Sequence, residues 1–292
     1  MRNSAIFGVC GSIGKSLLAN LVNKSKKNSN KLYCYDNNEE NLFYLKKKYN
    51  NQKNVLFSYL DIRNYTECLK SLKNIDVVYH VAAMKHVEIC EYSPIEAINT
   101  NALGTENLIN ASRENKVKKF IYASTDKAVN PTNVMGTSKL LAEKLVTAAN
   151  LNNGGGTSYS TVRFGNVLGS TGSIIPLLKK NFFNNENLTL TDKKMSRFIM
   201  SMSKAVDLII KCEKLMKGGE VFIIKMKALL IKDLIDVLAN ELAKKYNKKV
   251  LKIKIIGKQY GEKLYEELMN EEEIRRSYEL KDYIVILPAY GE

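Results

Sequence analysis

Between residue 4 and about residue 166, short apolar runs rich in β-branched and aromatic residues alternate with longer stretches whose apolar positions recur at helical spacing. The runs are Ala5-Ile6-Phe7-Gly8-Val9, Lys31-Leu32-Tyr33-Cys34-Tyr35, Val55-Leu56-Phe57, Val77-Val78-Tyr79-His80-Val81, Phe120-Ile121-Tyr122-Ala123 and Tyr159-Ser160-Thr161-Val162-Arg163-Phe164. Strands separated by helix-length segments require crossover connections, so the pattern predicts an α/β core with a doubly wound parallel sheet. Long helices are predicted over 93–116 and 136–150, the first opening at Ser93-Pro94 with a capping serine and a proline in the first turn. The run Asn152-Asn153-Gly154-Gly155-Gly156 breaks the chain before the next strand. Past Gly169 the pattern turns to loops, a shorter helix from Ser203 to Met216, and mixed strands around 221–224 and 251–256. The chain thus divides into a core over 1–168 and a smaller C-terminal lobe over 169–292, with crossings back to the core allowed.

The chain has 292 residues, 45% of them hydrophobic, enough to bury a full core. No apolar run approaches the roughly 20 residues of a membrane helix, and Met1-Arg2-Asn3 leads straight into a strand-like segment rather than a signal peptide. The expectation is a cytoplasmic protein without a membrane span. Cys10, Cys34, Cys68, Cys90 and Cys212 are scattered and form no CxxC pair, which argues against a zinc knuckle or a disulfide framework. Two histidines, His80 and His86, leave little material for a histidine-rich metal site or a Ser-His-Asp hydrolase. No metal is expected, and cofactor chemistry gains weight. The formal charge of +15 suits a polyanionic small substrate; the lysines lie in short clusters such as Lys46-Lys47-Lys48, without the aromatic interleaving of an RNA-binding stripe. Nucleic acid is not expected as a partner.

Gly8, Gly11 and Gly14 follow the first strand at GxxGxxG spacing, with Ser12 and Ile13 at the start of the next helix. Glycines fit there because a tight turn must bring backbone N–H groups and a helix N-terminus against a pyrophosphate, where a side chain would collide. That makes the core Rossmann-type and dinucleotide-binding. Asp36 ends the second strand, where a carboxylate can accept both hydroxyls of the adenosine ribose and repel a 2′-phosphate, favouring NAD over NADP. The alternative is that Asp36 caps the helix beginning near Asn38. Asp61, in Leu60-Asp61-Ile62-Arg63, lies after the third strand at the expected adenine edge.

Further stretches carry a resemblance: Val81-Ala82-Ala83-Met84-Lys85-His86-Val87, Asn99-Thr100-Asn101-Ala102-Leu103-Gly104-Thr105, the run from Ser124 to Lys139, Val162-Arg163-Phe164-Gly165-Asn166-Val167-Leu168-Gly169-Ser170, Met195-Ser196-Arg197-Phe198 and Gly261-Glu262-Lys263-Leu264-Tyr265-Glu266-Glu267-Leu268. With the glycine loop, they resemble the extended short-chain dehydrogenase/reductases, specifically the UDP-N-acetylglucosamine 4,6-dehydratases of polysaccharide biosynthesis. The resemblance implies oxidation at C4 of a UDP-sugar, loss of water across C5 and C6, and return of the hydride to C6, giving a 4-keto-6-deoxy sugar nucleotide. It implies that Thr125 hydrogen-bonds the C4 oxygen, that Asp126 is the acid at the 6-hydroxyl and that Lys127 is the base at C5. A ketone acidifies the neighbouring proton, so the chemistry needs both an acid and a base. An alternative reading makes Asp126 and Lys127 a surface ion pair.

Lys139 falls at the lysine of the family's YxxxK pattern and would hold the nicotinamide ribose, while Met135 stands at the tyrosine position. A thioether exchanges no proton, so Asp126 or Lys127 must also deprotonate the 4-hydroxyl. The string around Met135 resembles a branch whose members mostly retain configuration at C5. By the same resemblance Ile62, Ala82, Ala83 and Lys85 line the cofactor, Lys85 and His86 adjoin the substrate, and Asn166, Arg197 and Glu267 serve the uridine diphosphate in the substrate-binding lobe. Arg163 is either a ligand to that diphosphate or a structural charge at a strand end. Departures from the pattern are Phe7 and Val9 beside Gly8, Gln259 in place of an arginine with Lys258 beside it, and Lys225-Met226-Lys227-Ala228 without the usual Asp and Gly. The resemblance also implies a homo-oligomer. Two other readings stay open: a nucleotide-sugar 4-epimerase, which needs no elimination acid, and a non-catalytic dinucleotide-binding protein on the same fold.

Overall fold

The structure, a computed structural model, describes residues 2–24, 30–151, 156–257 and 259–289. The predicted break at 152–155 and Lys258 lie outside them. The strands are β1 (Ser4–Phe7), β2 (Leu32–Asp36), β3 (Val55–Tyr59), β4 (Val77–His80), β5 (Lys119–Thr125), β6 (Ser158–Phe164), β7 (Asn166–Val167), β8 (Leu188–Leu190), β9 (Ser196–Met200), β10 (Val221–Ile224), β11 (Lys227–Leu230), β12 (Ile253–Ile255), β13 (Ser277–Glu279) and β14 (Tyr283–Ile286). The helices are α1 (Ser12–Lys24), α2 (Glu39–Lys48), α3 (Tyr65–Ser71), α4 (Val87–Tyr92), α5 (Pro94–Ile98), α6 (Gly104–Glu114), α7 (Val134–Leu151), α8 (Ile174–Phe183), α9 (Met202–Leu215), α10 (Ile231–Tyr246) and α11 (Glu271–Arg275).

Nine strands form one sheet in the order β13-β14-β10-β6-β5-β4-β1-β2-β3. From β3 to β10 neighbouring strands are parallel, while β14 and β13 run antiparallel. Parallel strands are buried on both faces, which is why they read as unbroken apolar runs rather than alternating ones. Two apolar layers confirm the double winding. On one face Leu17 and Leu18 of α1 pack with Val206 and Ile209 of α9; on the other Leu108 and Ile109 of α6 pack with Ala142 and Val146 of α7. The chain moves outward from β1 to β2 and β3, then returns to place β4 on the other side of β1. This reversal opens a crevice at the carboxyl ends of β1 and β4, where ligands of such sheets bind.

A smaller apolar cluster, including Leu178, Leu188, Leu190, Ile231 and Ile235, joins α8, α10 and the β8–β12 pair. The chain after residue 169 is not confined to that lobe, because β10, β14 and β13 extend the main sheet.

The helix predicted over 93–116 is three pieces. A π-helical turn, Asn99–Leu103, separates α5 from α6. Pro94 opens α5 as expected, but the Ser93 side chain makes no capping bond. The widened turn coincides with a tether: Asn101 accepts from the Met84 N–H at 2.8 Å and donates to the Met84 carbonyl and the Ser138 hydroxyl, each at 3.0 Å. Such turns accompany functional sites because they re-aim one side chain without ending the helix. Here the side chain pins the loop after β4.

Arg163 is structural. It is fully buried on β6 and its guanidinium takes both oxygens of Glu143 and both of Glu273, at 2.6 to 3.2 Å, plus the Leu268 carbonyl. Burial opposes its charge, but the two carboxylates outweigh that and raise its pKa further.

Candidate active site

A groove of about 770 Å³ runs across the carboxyl ends of the parallel strands, from Asp36 and Asp61 at one end to Ser124 and Thr125 at the other. The glycine loop forms its floor. Gly8 has φ +88°, and a Cβ there would stand 2.5 Å from the Ala82 nitrogen; one on Gly14 would stand 2.2 Å from the Gly8 carbonyl oxygen. The loop is therefore compressed between α1 and the segment after β4, leaving the N-terminus of α1 facing the groove.

Asp36 is fixed at the groove's edge, accepting from the Cys10 N–H at 2.8 Å and the Asn38 N–H at 3.0 Å. The capping alternative does not hold: Asn38 caps α2 by accepting from the Asn41 N–H at 2.9 Å. Asp61 lines the same end, and the Arg63 guanidinium, 2.6 Å away, holds its carboxyl below the ordinary carboxylate value against the opposing effect of burial. Arg63 also reaches Glu96 at 2.6 Å and lines the groove, a feature sequence reasoning missed. Ile62, Ala82, Ala83 and Lys85 line it too, with Gly11, Ser12 and Ile13. The Lys85 amine donates to the Thr171 carbonyl, and burial lowers its pKa. Thr171 is tied to Ser12 as well, its N–H donating to the serine oxygen at 2.9 Å. The ring of His86 sits against Gly172, where a Cβ would come within 2.5 Å of it.

At the other end β5 stops at Thr125, and a 3₁₀ turn, Asp126–Ala128, follows. Asp126 is fully buried, so the surface ion-pair alternative fails. Its Oδ1 accepts from the Thr125 hydroxyl and from the Lys127 amine, both at 3.0 Å. The amine also lies 3.3 Å from Asn166 Oδ1 and 3.3 Å from Glu266 Oε1. Arg197 stands behind Glu266 at 3.9 Å and donates to the carbonyls of Ser196 and Leu264. Glu267 turns away and accepts from Asn130 at 2.9 Å. The sequence offers two adjacent acids at 266 and 267 in a segment without regular periodicity, so nothing in chain order says which faces Lys127.

Met135 is buried with Cys90, Ala97 and Met84 in a small apolar cluster. One residue on, a Cβ at Gly136 would stand 2.2 Å from the Lys127 carbonyl oxygen, so glycine there lets α7 start directly against the turn that carries Asp126 and Lys127. Lys139, one helical turn after Met135, donates to the Ala123 carbonyl at 2.6 Å and stands 4.2 Å over the Tyr122 ring. Burial lowers its pKa to about 7, with Glu143 opposing. The unfolded chain, with an ordinary lysine pKa near 10.4, binds more protons at this group between about pH 7 and about pH 10, so the contribution of Lys139 to stability should rise with pH across that window, against the opposite slope of the buried cysteines above about pH 8.5. Below it the buried ammonium costs on the order of 5 kcal/mol. Lys139→Met should remove this rise, so urea midpoints of parent and variant compared at both ends of the window check it; parallel pH profiles would contradict it.

The fold and groove define a Rossmann-type α/β protein with a buried acid and an amine at the end of its fifth strand. The profile of the polysaccharide biosynthesis protein family matches residues 5–288, and the chain belongs to that family, within the extended short-chain dehydrogenase/reductases. It is 50% identical over 98% of its length to an uncharacterized membrane protein of Methanocaldococcus jannaschii, covering 85% of that protein. To a UDP-glucose 4-epimerase of Rickettsia bellii it is 40% identical, covering 95% of this chain and 80% of that one. To an inverting UDP-N-acetylglucosamine 4,6-dehydratase of Campylobacter jejuni it is 37% identical over 99% of this chain and 83% of the other. Among solved structures, Pen from Bacillus thuringiensis superposes with a TM-score of 0.95 at 41% identity, over 100% of this chain and 89% of that one. Among the described residues no helix is long and apolar enough to cross a membrane.

Proposed function

We propose that the protein is an NAD-dependent 4,6-dehydratase of a UDP-sugar, UDP-N-acetylglucosamine in the first instance, making a 4-keto-6-deoxy sugar nucleotide for surface polysaccharide or glycan synthesis. The observation that carries this reading is the pairing of a fully buried Asp126 with the Lys127 amine at 3.0 Å, directly beside the groove-lining Thr125. An elimination needs an acid and a base together at one sugar edge.

The residues suit NAD: the compressed glycine loop leaves room for a pyrophosphate at α1, and Asp36 stands at the ribose end with its oxygens oriented by two backbone N–H groups. When bound, NAD would take the hydride from C4 and return it to C6. Thr125 would hold the C4 oxygen while Asp126 accepts the proton of the 4-hydroxyl. The 4-ketone acidifies C5, and Lys127 as the free amine takes that proton. Asp126, now the acid, gives its proton to the 6-hydroxyl, which leaves as water as the C5–H and C6–O bonds break and a C5–C6 double bond forms. Lys127 finally returns its proton to C5. Met135 takes no part in these transfers, in keeping with its apolar surroundings.

Asp36 should set cofactor choice. Asp36→Ala is expected to weaken NAD binding and narrow the preference over NADP, read by titrating both dinucleotides; NADP binding as tight as NAD to the parent protein would contradict this.

The epimerase reading draws on the 40% identity to the Rickettsia protein. An epimerase inverts C4 without losing water, so incubation with UDP-N-acetylglucosamine followed by mass spectrometry separates the two. Loss of one water supports the dehydratase; an isomer of unchanged mass supports the epimerase.

A further inference from the structure

Two buried ion clusters in this chain invite comparison. Around Arg163 all four oxygens of Glu143 and Glu273 accept hydrogen bonds from the guanidinium, and the cluster is closed. Around Lys127 it is open. Asp126 is fully buried and Glu266 is 7% exposed; each gives one oxygen to the amine, at 3.0 and 3.3 Å. Asp126 Oδ2 and Glu266 Oε2 have no hydrogen-bond partner among the described residues. Buried carboxylate oxygens are seldom left bare where their only task is to hold a fold together. Two bare oxygens flanking one amine mark a cluster completed by something that enters.

Glu266 is also delivered to this place by specific contacts. Gly261, at φ +75°, carries the segment past Asn133, and its carbonyl accepts from the Thr132 hydroxyl at 3.0 Å and the Asn133 amide at 2.9 Å. Two residues later Lys263 donates to the Val129 carbonyl at 2.8 Å. The segment from 261 to 266 is thereby clasped to the turn and loop that carry Asp126 and Lys127.

We propose that Glu266 is a positioning residue for Lys127 in the elimination, an inference that rests on the dehydratase reading. A lysine amine sits on a flexible stem and rotates freely about it. A free amine has two N–H bonds and one lone pair; with Asp126 accepting one N–H and Glu266 the other, the lone pair is directed at the sugar. Glu266 itself touches no reacting atom.

The test uses the full-length protein with NAD. Glu266→Gln keeps the shape and removes the charge; Glu266→Ala removes the acceptor. Losing one hydrogen bond to a charged group should slow C5 deuterium exchange about 10- to 100-fold in the alanine variant, and less in the glutamine variant, with KM for the UDP-sugar little changed. Added formate, a small carboxylate, should restore part of the exchange to Glu266→Ala and none to the parent. Exchange at the parent rate in both variants would overturn the proposal, as would a loss confined to KM. A second readout needs no turnover: the ¹³C-methyl resonance of dimethylated Lys127, assigned by its absence in Lys127→Arg, should change position in Glu266→Gln. If it moves while the parent protein loses no water from UDP-N-acetylglucosamine, the pairing stands and the dehydratase reading fails. If it does not move, the pairing itself is wrong.

Discussion

Lys127→Ala is expected to lower deuterium entry at C5 by about 10²–10⁴-fold, the usual worth of a positioned proton-transfer group, while dinucleotide binding and the fold persist. The change leaves the buried Asp126 and Glu266 carboxylates without their amine, so some stability is lost along with the activity, but the Arg163 cluster is untouched and the fold should persist. Asp126→Asn should behave differently. Because Asp126 also takes the 4-hydroxyl proton, less ketone should form, yet C5 of that ketone still exchanges, while water loss should stall since the amide has no acidic proton to give the leaving hydroxyl. Exchange in heavy water and water loss by mass spectrometry, measured on both variants, separate the two roles. Parent-rate exchange in Lys127→Ala would move the base elsewhere.

Arg163→Met is expected to be the most damaging change to stability. Removing one member of a buried ion cluster leaves the others charged and uncompensated, at a cost of about 3–5 kcal/mol. Here two carboxylates, Glu143 of α7 and Glu273 of α11, lose their shared partner at once. Glu273 is held below its ordinary pKa by Arg163 against the upward push of burial, so in the variant it should take up a proton, and the loss should shrink as the pH falls toward the carboxylate range. Urea unfolding at neutral and acid pH measures this. A midpoint unchanged at neutral pH would contradict it.

The core was legible because its signals are local. Six apolar runs became the first six strands, and the glycine spacing fell where a Cβ would strike backbone at Gly8 and Gly14. Thr125, Asp126 and Lys127 were singled out by the resemblance, and they stand together because three consecutive residues leave one strand end; the roles given to them belong to the proposed function. What stayed hidden depends on distant partners. The π turn at Asn99–Leu103 is tethered by Asn101 to Met84 and Ser138, neither of which is near in sequence. Arg163 read equally well as ligand or brace until Glu143 and Glu273 closed around it. Glu266 reaches Lys127 across 139 positions of chain, and the choice between it and Glu267 is made by the clasp at Gly261, which no periodicity reveals.

The insertion of β10 beside β6 has a consequence for how the chain can be made. Thr161 pairs with Val221, and β14 then adds to the far side of β10 from residues beyond 280. A polypeptide stopped at residue 168 would present β6 as a bare parallel edge, with its backbone donors and acceptors open to any passing strand. Arg163 would hold only one of its two carboxylates. During synthesis the same edge stays open until β10 emerges, and the far edge of β10 stays open until β14 follows, so the late steps of folding depend on long-range closure, which is intrinsically slow. The two halves of the chain are therefore one cooperative unit, and separately expressed fragments are expected to aggregate instead of reassembling.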